Sequence, residues 1–528
     1  MDWVTSNIQE NGLVSNENLM LPSRFTHAVE KRERATIVTN SQSRHQSLSS
    51  DSLDETVFTR LNANLIDQPH EASGLIGIAR RDITPPFGIY GPVWGFSTHD
   101  GSSQGTHKSI YATALAITAK GASKPSVIVG VDLGTTGDLT GLEDQWIRED
   151  VIAQLDIPLS HLMLASSHTH GAPWPYRSRV DFPGGHLIED YLNLLKSAIL
   201  EASREAIETA EECILTFKPG RCDLAKNRNL ADPADSTRYL TGYNPANQSI
   251  TDDTVMVGRI TRVSDNLIKG TVINYACHPT TLGGDNRLIS PDFIGGMRDV
   301  MEANTDGAIC LFLQGGSGDL APAYQYVKDT SVADRYGHQL GYAGLSTLCG
   351  MYPAGHRLEY IKPIESGAPL GYWEPRSYEI PSKNSINYEI VGLPSKDWPN
   401  VDELDRQLEV ESDFRIRERL LRKKTIANFT QGKSEIPTQI FAWAFGNLIF
   451  VGISCEIDVA WQQKLRAAYP EYAVIAVADV NYSAIGYIVR EELCDLNLYQ
   501  AWQPPYGKGS FTSIVNHCTR LMTKSLKS

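Results

Sequence analysis

His168 and His170 directly follow an apolar segment, in the stretch LMLASSHTHGAPWPY at residues 162–176. Residues two apart on an extended chain point to the same side, so the two imidazoles are expected to leave a strand end together. Paired imidazoles of this kind bind a metal ion or contact a substrate carbonyl. Two surface histidines on a turn explain the stretch equally well, and other parts of the chain have to decide.

Four further segments place a polar side chain where an apolar strand ends. These are His278 in VINYACHP, Glu456 in LIFVGISCE, Tyr482 and Tyr487 in VNYSAIGY, and Ser317 and Asp319 in QGGSGD. Each has a structural alternative, such as capping a turn, opening a helix or filling the edge of the core. Together they supply two or three imidazoles, a carboxylate and a phenol, the donor set of a catalytic zinc site that keeps one position for water.

The composition indicates a soluble globular protein with a large core: 528 residues, 41% of them hydrophobic and 21% charged. The net charge of −14 argues against binding to nucleic acid or to an anionic membrane, since both need a basic face. No segment approaches the roughly 18 apolar residues of a transmembrane span, and the N-terminus lacks a secretory pattern. The eight cysteines form no CxxC pair, so we expect free thiols in a cytoplasmic protein. No pattern indicates an oligomeric state.

Residues 1–72 differ from the rest of the chain because they are rich in Ser, Asn, Gln and mixed charge. We predict a mostly disordered N-terminal arm there, with a partner-binding arm as the alternative. From Gly74 onwards strands alternate with amphipathic helices, and no linker divides residues 73–528. This pattern predicts one large α/β domain with mixed sheets in several layers.

The clearest predicted helices cover residues 143–155, 189–210 and 331–349. The region 355–440 is more polar and contains a strongly charged segment, predicted as a single helix over about 403–427. We interpret its charge run as a solvated face and not as a binding site.

The chain resembles the catalytic domain of the neutral/alkaline non-lysosomal ceramidases from about Gly74 to its C-terminus. The motifs that carry the resemblance are GIARRDIT, SSHTHGAP, NRN at 227–229, CHPT, QGGSGDLAP, SCEIDVAW and NYSAIGY. Members of this family are zinc amidohydrolases that cleave the amide of ceramide into sphingosine and a fatty acid. The resemblance therefore implies a zinc (Zn2+) cofactor and a lipid or small-molecule N-acyl substrate.

Position by position, the resemblance implies specific roles for six residues. The implied zinc ligands are His168, His278, Glu456 and Tyr487. The resemblance also implies that His170 contacts the zinc-bound water or the scissile carbonyl. Arg228, in the NRN tripeptide, is implied to clamp the substrate headgroup or the developing oxyanion.

One loop departs from the family pattern at the position of an active-site serine. The loop reads Gly-Asp-Leu-Ala-Pro-Ala here, so Ala321 replaces the serine, and Ser317 is expected to point elsewhere. A covalent acyl-serine route is then closed, whereas a zinc-activated water is still available. We also expect this chain to lack the secretory signal and the C-terminal immunoglobulin-like domain of the family.

The leading hypothesis is a zinc-dependent hydrolase of an amide bond in a ceramide-like or other N-acylated substrate. The alternative is a catalytically inactive relative that binds an acylated ligand or a partner protein, which Ala321 favours. A cysteine hydrolase using Cys277 beside His278 is disfavoured, because adjacent strand residues face opposite ways. A barrel amidohydrolase fits poorly, because a long ordered stretch precedes His168.

Overall fold

The computed structural model describes residues 66–91, 101–138, 141–248, 250–481 and 485–527. Up to residue 65, the predicted N-terminal arm lies outside the described residues. Two strands, at Ile66–Asp67 and from His70, already precede Gly74. Regular structure therefore begins several residues before the predicted boundary.

The strands of the described residues are, in chain order, β1 (Ile66–Asp67), β2 (His70–Asp82), β3 (Gly105–Thr106), β4 (Tyr111–Ala119), β5 (Ser126–Val131), β6 (Leu162–Ser166), β7 (Glu211–Arg221), β8 (Ala225–Asn227), β9 (Asn229–Asp232), β10 (Asp235–Thr241), β11 (Thr254–Arg262), β12 (Ile268–Tyr275), β13 (Leu288–Ile289), β14 (Ile309–Gln314), β15 (Leu320–Pro322), β16 (His356–Ile364), β17 (Leu370–Ser377), β18 (Asn384–Pro394), β19 (Glu435–Phe445), β20 (Leu448–Ile453), β21 (Glu456–Ile457), β22 (Ala473–Val477) and β23 (Tyr487–Ile488). The helices are α1 (Leu142–Leu155), α2 (Ile188–Glu208), α3 (Phe293–Ala303), α4 (Thr330–Cys349), α5 (Val401–Val410), α6 (Phe414–Thr430), α7 (Ala460–Ala468), α8 (Tyr499–Trp502) and α9 (Ser510–Lys527).

The largest sheet has eight strands in the order β14-β12-β11-β7-β2-β4-β5-β6. Its parallel pairs lie at the two edges, β12 with β14 and β5 with β6. The sheet is strongly curled, because a Cβ atom on Gly130 of β5 would lie only 2.6 Å from the Leu311 side chain of β14. Glycine at this point permits the close approach. The curl brings the chain segments that follow β6 and β12 to one place.

A second sheet, in the order β18-β19-β20-β22, packs against the concave face of the first. Ile128 and Leu311 of the first sheet share a buried cluster with Phe441 and Phe450 of the second. Helices α1 to α4 cover the outer face of the eight-stranded sheet, and α7 and α9 cover the outer face of the four-stranded one. The result is a four-layer α/β/β/α arrangement, which confirms the predicted mixed, multilayer α/β class.

Most predicted elements are confirmed, but the polar region 355–440 differs in two ways. The single helix predicted over 403–427 is wrong, since α5 and α6 are separated at Glu411 to Asp413. There the Glu411 side chain accepts a hydrogen bond from the Asp413 backbone N–H at 2.8 Å, an alternative to continued helix. Strands β16 to β18 were also missed, because their exposed polar residues hide the alternation that marks a strand.

A buried ion pair ties the first helical layer to the end of β5. Arg298 of α3 donates to Asp132 at 3.0 Å, and the Tyr111 backbone N–H donates to the same carboxylate at 2.9 Å. Arg298→Met is expected to lower the free energy of unfolding by about 3–5 kcal/mol, because it leaves the Asp132 charge buried without its cation. Urea denaturation measures this.

The matched control is Arg221→Met, because the Arg221–Asp253 pair is 83% and 43% exposed. Its loss is expected to cost less than about 1 kcal/mol. Equal losses in the two variants would contradict the assigned role of the buried pair.

None of the helices in the described part of the chain is long and apolar enough to cross a bilayer. All eight cysteines are free, and six of them are buried.

Candidate active site at the strand ends

The His-x-His pair follows β6 in a constrained conformation. The backbone of His168 is left-handed, with φ of 63°, which is uncommon for a residue with a side chain. Its N–H donates to the Leu133 carbonyl at 2.9 Å, and the preceding N–H donates to Val131. These bonds to the segment after β5 hold the turn in place. Backbone strain of this kind is typical of functional sites.

Three ligand atoms converge where the strand ends meet. The Nε2 atoms of His168 and His278 lie 3.2 Å and 3.3 Å from the same oxygen, Oε2 of Glu456. The Tyr487 hydroxyl lies 3.4 Å from Nε2 of His278. Glu456 and Tyr487 are direct partners in the short parallel pair of β21 with β23. The structure therefore brings together the four residues that the resemblance implied as ligands.

The orientation of the two rings suits metal binding. Nδ1 of His168 lies 3.0 Å from the Gly134 carbonyl, and Nδ1 of His278 lies 2.9 Å from the Ser317 carbonyl. A carbonyl only accepts, so each Nδ1 carries the hydrogen when the ring is neutral, and each Nε2 presents its lone pair to the common point. One imidazole nitrogen from each of His168, His170 and His278 lies within 4.8 Å of the other two. Nitrogen and carboxylate donors at this spacing fit zinc.

The cluster also has unusual proton affinities. Burial lowers the pKa of His168, but Glu456 and Asp479 outweigh it and raise the value to about 9. Burial and the nearby Arg228 lower the pKa of His278 to about 3. Burial alone would raise the pKa of Glu456, but the adjacent His168 holds it well below its usual range. The carboxylate of Glu456 thus faces the cationic ring of His168. A bound metal cation would replace the positive charge of this ring, because a metal-ligating histidine has to be neutral.

Asp479 is a site residue that sequence reasoning missed. It follows β22, is 2% exposed and has a left-handed backbone with φ of 57°. Its Oδ2 lies 3.6 Å from Nδ1 of His168, and its Oδ1 has no hydrogen-bond partner among the described residues. Carboxylates behind a histidine ligand raise its basicity and fix its ring. The only signal in the sequence was an acidic residue directly after a buried strand, in VIAVAD.

Arg228 lies beside Tyr487, and two of its three guanidinium nitrogens, Nε and Nη2, donate hydrogen bonds to protein atoms. It donates to the Gly318 carbonyl from Nε at 3.1 Å and from Nη2 at 2.8 Å, and to the Tyr487 hydroxyl at 3.3 Å. The side chain is buried and is not among the residues that line the cavity described below. Its contacts therefore act on the tyrosine, whereas direct contact with substrate stays a prediction.

In the loop that departs from the family pattern at Ala321, the neighbouring side chains make structural contacts. Ala321 is 1% exposed and pairs with Lys226 across β15 and β8. The Ser317 hydroxyl lies 3.2 Å from Nδ1 of His278, on the side of the ring away from Nε2. Cys277 is buried, and burial raises the pKa of its thiol well above the usual range, which disfavours this thiol as a nucleophile. Tyr482 lies outside the described residues.

A cavity of ≈ 170 Å³ opens beside the ligand cluster. We call it the site cavity. It is lined by His168, His170, Glu456 and Tyr487 together with Gly134, Thr135, Asp138, Trp174, Tyr176, Ser178, Arg179, Leu421, Arg422, Thr425, Tyr499 and Gln503. Trp174 and Tyr176 stack with ring centroids 5.8 Å apart, and Tyr499 meets Tyr487 edge-on at 5.6 Å. Aromatic walls around a small polar base are typical of a site for a small organic ligand.

The charged segment that we interpreted as a solvated face contributes to this cavity. Leu421, Arg422 and Thr425, all from α6, line it. One turn of α6 therefore faces the cavity, so the segment is not solvated along its whole length as predicted. This placement alone does not assign the segment a role in binding. The charge pattern alone does not reveal the placement, because most of the helix is solvated.

Residues 75–333 match the sequence model for the N-terminal domain of the neutral/alkaline non-lysosomal ceramidases. The matched segment belongs to this family. His168, His170, Arg228 and His278 lie within the matched segment, whereas Glu456 and Tyr487 lie beyond it and reach the cluster through the fold. A search of curated protein sequences finds no match.

Solved structures of similar fold include two ceramidases. One, described as a ceramidase complexed with C2, is 15% identical, with a TM-score of 0.61, and the alignment covers 87% of this chain and 76% of that one. The other, a neutral ceramidase from Pseudomonas aeruginosa, is 17% identical, with a TM-score of 0.60, and the alignment covers 87% and 75%. At these identities the comparisons show the fold alone.

Proposed function

We propose that this chain is a zinc-dependent hydrolase of an amide bond in an N-acylated substrate, either ceramide-like or another N-acyl amine. The observation that carries the proposal is the convergence of His168 Nε2, His278 Nε2 and Glu456 Oε2 beside an aromatic cavity. Membership of the ceramidase family supports an amide as the bond that is cleaved.

When bound, zinc lowers the pKa of a coordinated water to about 7 and polarises a carbonyl oxygen. His168, His278, Glu456 and Tyr487 would hold it. His170 lines the cavity next to these residues, and burial together with His168 lowers its pKa well below the usual range. A neutral imidazole in this place accepts a proton from the attacking water and returns it to the leaving amine nitrogen.

Arg228 acts as a positioning residue in this scheme. Its Nη2 donates to the Tyr487 hydroxyl at 3.3 Å while the same guanidinium is anchored on the Gly318 carbonyl. The phenol oxygen is therefore fixed beside Nε2 of His278. Tyr487 is buried and its hydroxyl is already held in place. No free energy is then spent on ordering this hydroxyl when substrate binds.

The surroundings of Ala321 weaken the alternative of an inactive relative. Ala321 does not line the site cavity, and the proposed route needs no serine hydroxyl. Because position 321 lies outside the cavity lining, the missing serine hydroxyl takes away no group that the water-dependent chemistry needs. Binding of an acylated ligand without turnover, in protein that carries zinc, is the result that would restore this alternative.

The test uses the purified full chain and measures its metal content by plasma mass spectrometry. We expect about one zinc per chain, loss of N-acyl amine hydrolysis after chelation, and recovery on adding zinc. Substoichiometric zinc together with hydrolysis that resists chelation would overturn the proposal. A panel of fluorogenic N-acyl amines with short and long acyl chains supplies the turnover measurement.

A further inference from the structure

Two guanidinium groups line the site cavity away from the ligand cluster. Arg179 comes from the turn that follows Trp174 and Tyr176, and Arg422 comes from α6. Apart from Glu456 in the cluster, the acidic residue of the lining is Asp138, which accepts a hydrogen bond from Ser178 at 3.2 Å. The outer part of the cavity therefore has more positive than negative side chains.

Arg422 packs against the aromatic side chains that line the cavity. Its guanidinium carbon lies 5.4 Å from the centroid of the Trp174 ring, and that ring stacks on Tyr176. A guanidinium on an aromatic face keeps its planar donors directed outward, which suits recognition of a carboxylate. Burial raises the pKa of the Tyr176 phenol to about 12. The positive charges of Arg422 and Arg179 act in the opposite direction and lower this pKa.

The helix that carries Arg422 is basic in an acidic protein. Residues 419–424 include four basic side chains and no acidic one, whereas the whole chain has a net charge of −14. Asp405 of α5 pairs with Lys424 at 2.5 Å and offsets part of this charge. Lys423, next to Arg422, lies over the Trp502 ring at 5.2 Å from its centroid. A local concentration of one charge sign at a cleft attracts ligands of the opposite sign.

A neutral dialkyl amide has no group that matches these cations. Desolvating a guanidinium against a neutral ligand costs free energy, whereas a carboxylate forms charge-assisted, often bidentate, hydrogen bonds with it. From this match, we propose that the site takes N-acyl amino acids, with the carboxylate of the amino acid at Arg422 and Arg179. This inference rests on the proposed amide hydrolase function and names the substrate class for it.

The reaction is an ordinary hydrolysis. The water oxygen forms a bond to the acyl carbon, the bond from that carbon to nitrogen breaks, and one proton of the water goes to the amino nitrogen. The products are a fatty acid and a free amino acid. No oxidant, reductant or further co-reactant is needed.

The test compares N-octanoylglycine with N-octanoylglycinamide, which has nearly the same shape but no charge. In the wild type we expect kcat/KM to be about tenfold or more higher for the anionic compound, mainly through KM. In Arg422→Gln this preference should fall by about tenfold, and in Arg422→Lys it should be partly kept. Raising the ionic strength should reduce the wild-type preference.

Arg177→Gln is the matched control. It removes the same charge close by, but Arg177 pairs with Glu189 at 2.9 Å and does not line the cavity. Its preference ratio should equal that of the wild type. A loss of preference in this control as large as in Arg422→Gln would overturn the inference, because general charge and not a site contact would then explain the effect.

Two further outcomes separate this inference from the proposed function. Zinc-dependent hydrolysis with no preference for the anionic compound, or with a preference that survives Arg422→Gln, overturns the inference and leaves the amide hydrolase intact. If neither compound is turned over, calorimetric binding of N-octanoylglycine decides: binding weakened about tenfold by Arg422→Gln supports the anion site, and unchanged or absent binding overturns it.

Discussion

Replacing His278 by alanine is expected to remove the bound zinc and to lower kcat for N-acyl amine hydrolysis by about 10³-fold or more, an increase of about 4 kcal/mol in the activation free energy. His278 is 1% exposed, and its Nδ1 is held by the Ser317 carbonyl at 2.9 Å. The variant loses Nε2 of His278, which is one of the three converging ligand atoms. Metal content and single-turnover rates on the same preparation measure both losses.

A histidine outside the site provides the control for this prediction. Nδ1 of His161 lies 3.0 Å from the Pro125 carbonyl, and the residue does not line the site cavity. His161→Ala should keep its zinc and its kcat, and thermal unfolding of both variants shows whether either one is misfolded. A His278→Ala protein that is folded, holds stoichiometric zinc and turns over normally would contradict the ligand assignment.

The layers of the fold were predictable because each one depends on local periodicity. α4 and α2 have apolar residues at helical spacing, and β5 and β6 are short and continuously apolar, so the segment patterns identify them. The break between α5 and α6 was not predictable from charge, since it depends on a side chain that competes for a backbone N–H. The curl of the large sheet was also hidden, because the approach of Gly130 to Leu311 joins strands far apart in sequence.

The candidate site shows the same division. His168, His278 and Glu456 were each recognisable as a polar residue at a strand end. The family resemblance already implied that all three belong to one metal site. The sequence did not reveal which way each side chain points. The guanidinium of Arg228 is directed at Gly318 and Tyr487, whereas Arg422, from a helix interpreted as solvated, lines the cavity. Asp479 was missed because its role depends on a contact with His168, more than 300 positions away in the chain.

His170→Asn is expected to keep the zinc but to lower kcat by about 10²–10⁴-fold, the usual contribution of a positioned proton acceptor. His170 lines the site cavity, whereas the contacts of Glu456 with histidine nitrogens at 3.2 Å and 3.3 Å go to His168 and His278. Asparagine retains a polar side chain of similar size without the basic nitrogen. The decisive measurement is zinc content and kcat on one sample, compared with His278→Ala.

The pH profile adds a second readout for His170. Burial lowers its pKa well below the usual value, so the wild-type ring stays neutral and able to accept a proton at pH 7. The rate of the wild type should fall as the pH drops through this lowered pKa, in addition to any fall from protonation of a zinc-bound water, and His170→Asn should lose the acidic limb that His170 contributes. Loss of zinc from His170→Asn would instead place this imidazole among the metal ligands. The His-x-His pair would then hold the metal with both rings, and the proton acceptor would have to be sought elsewhere in the cavity lining.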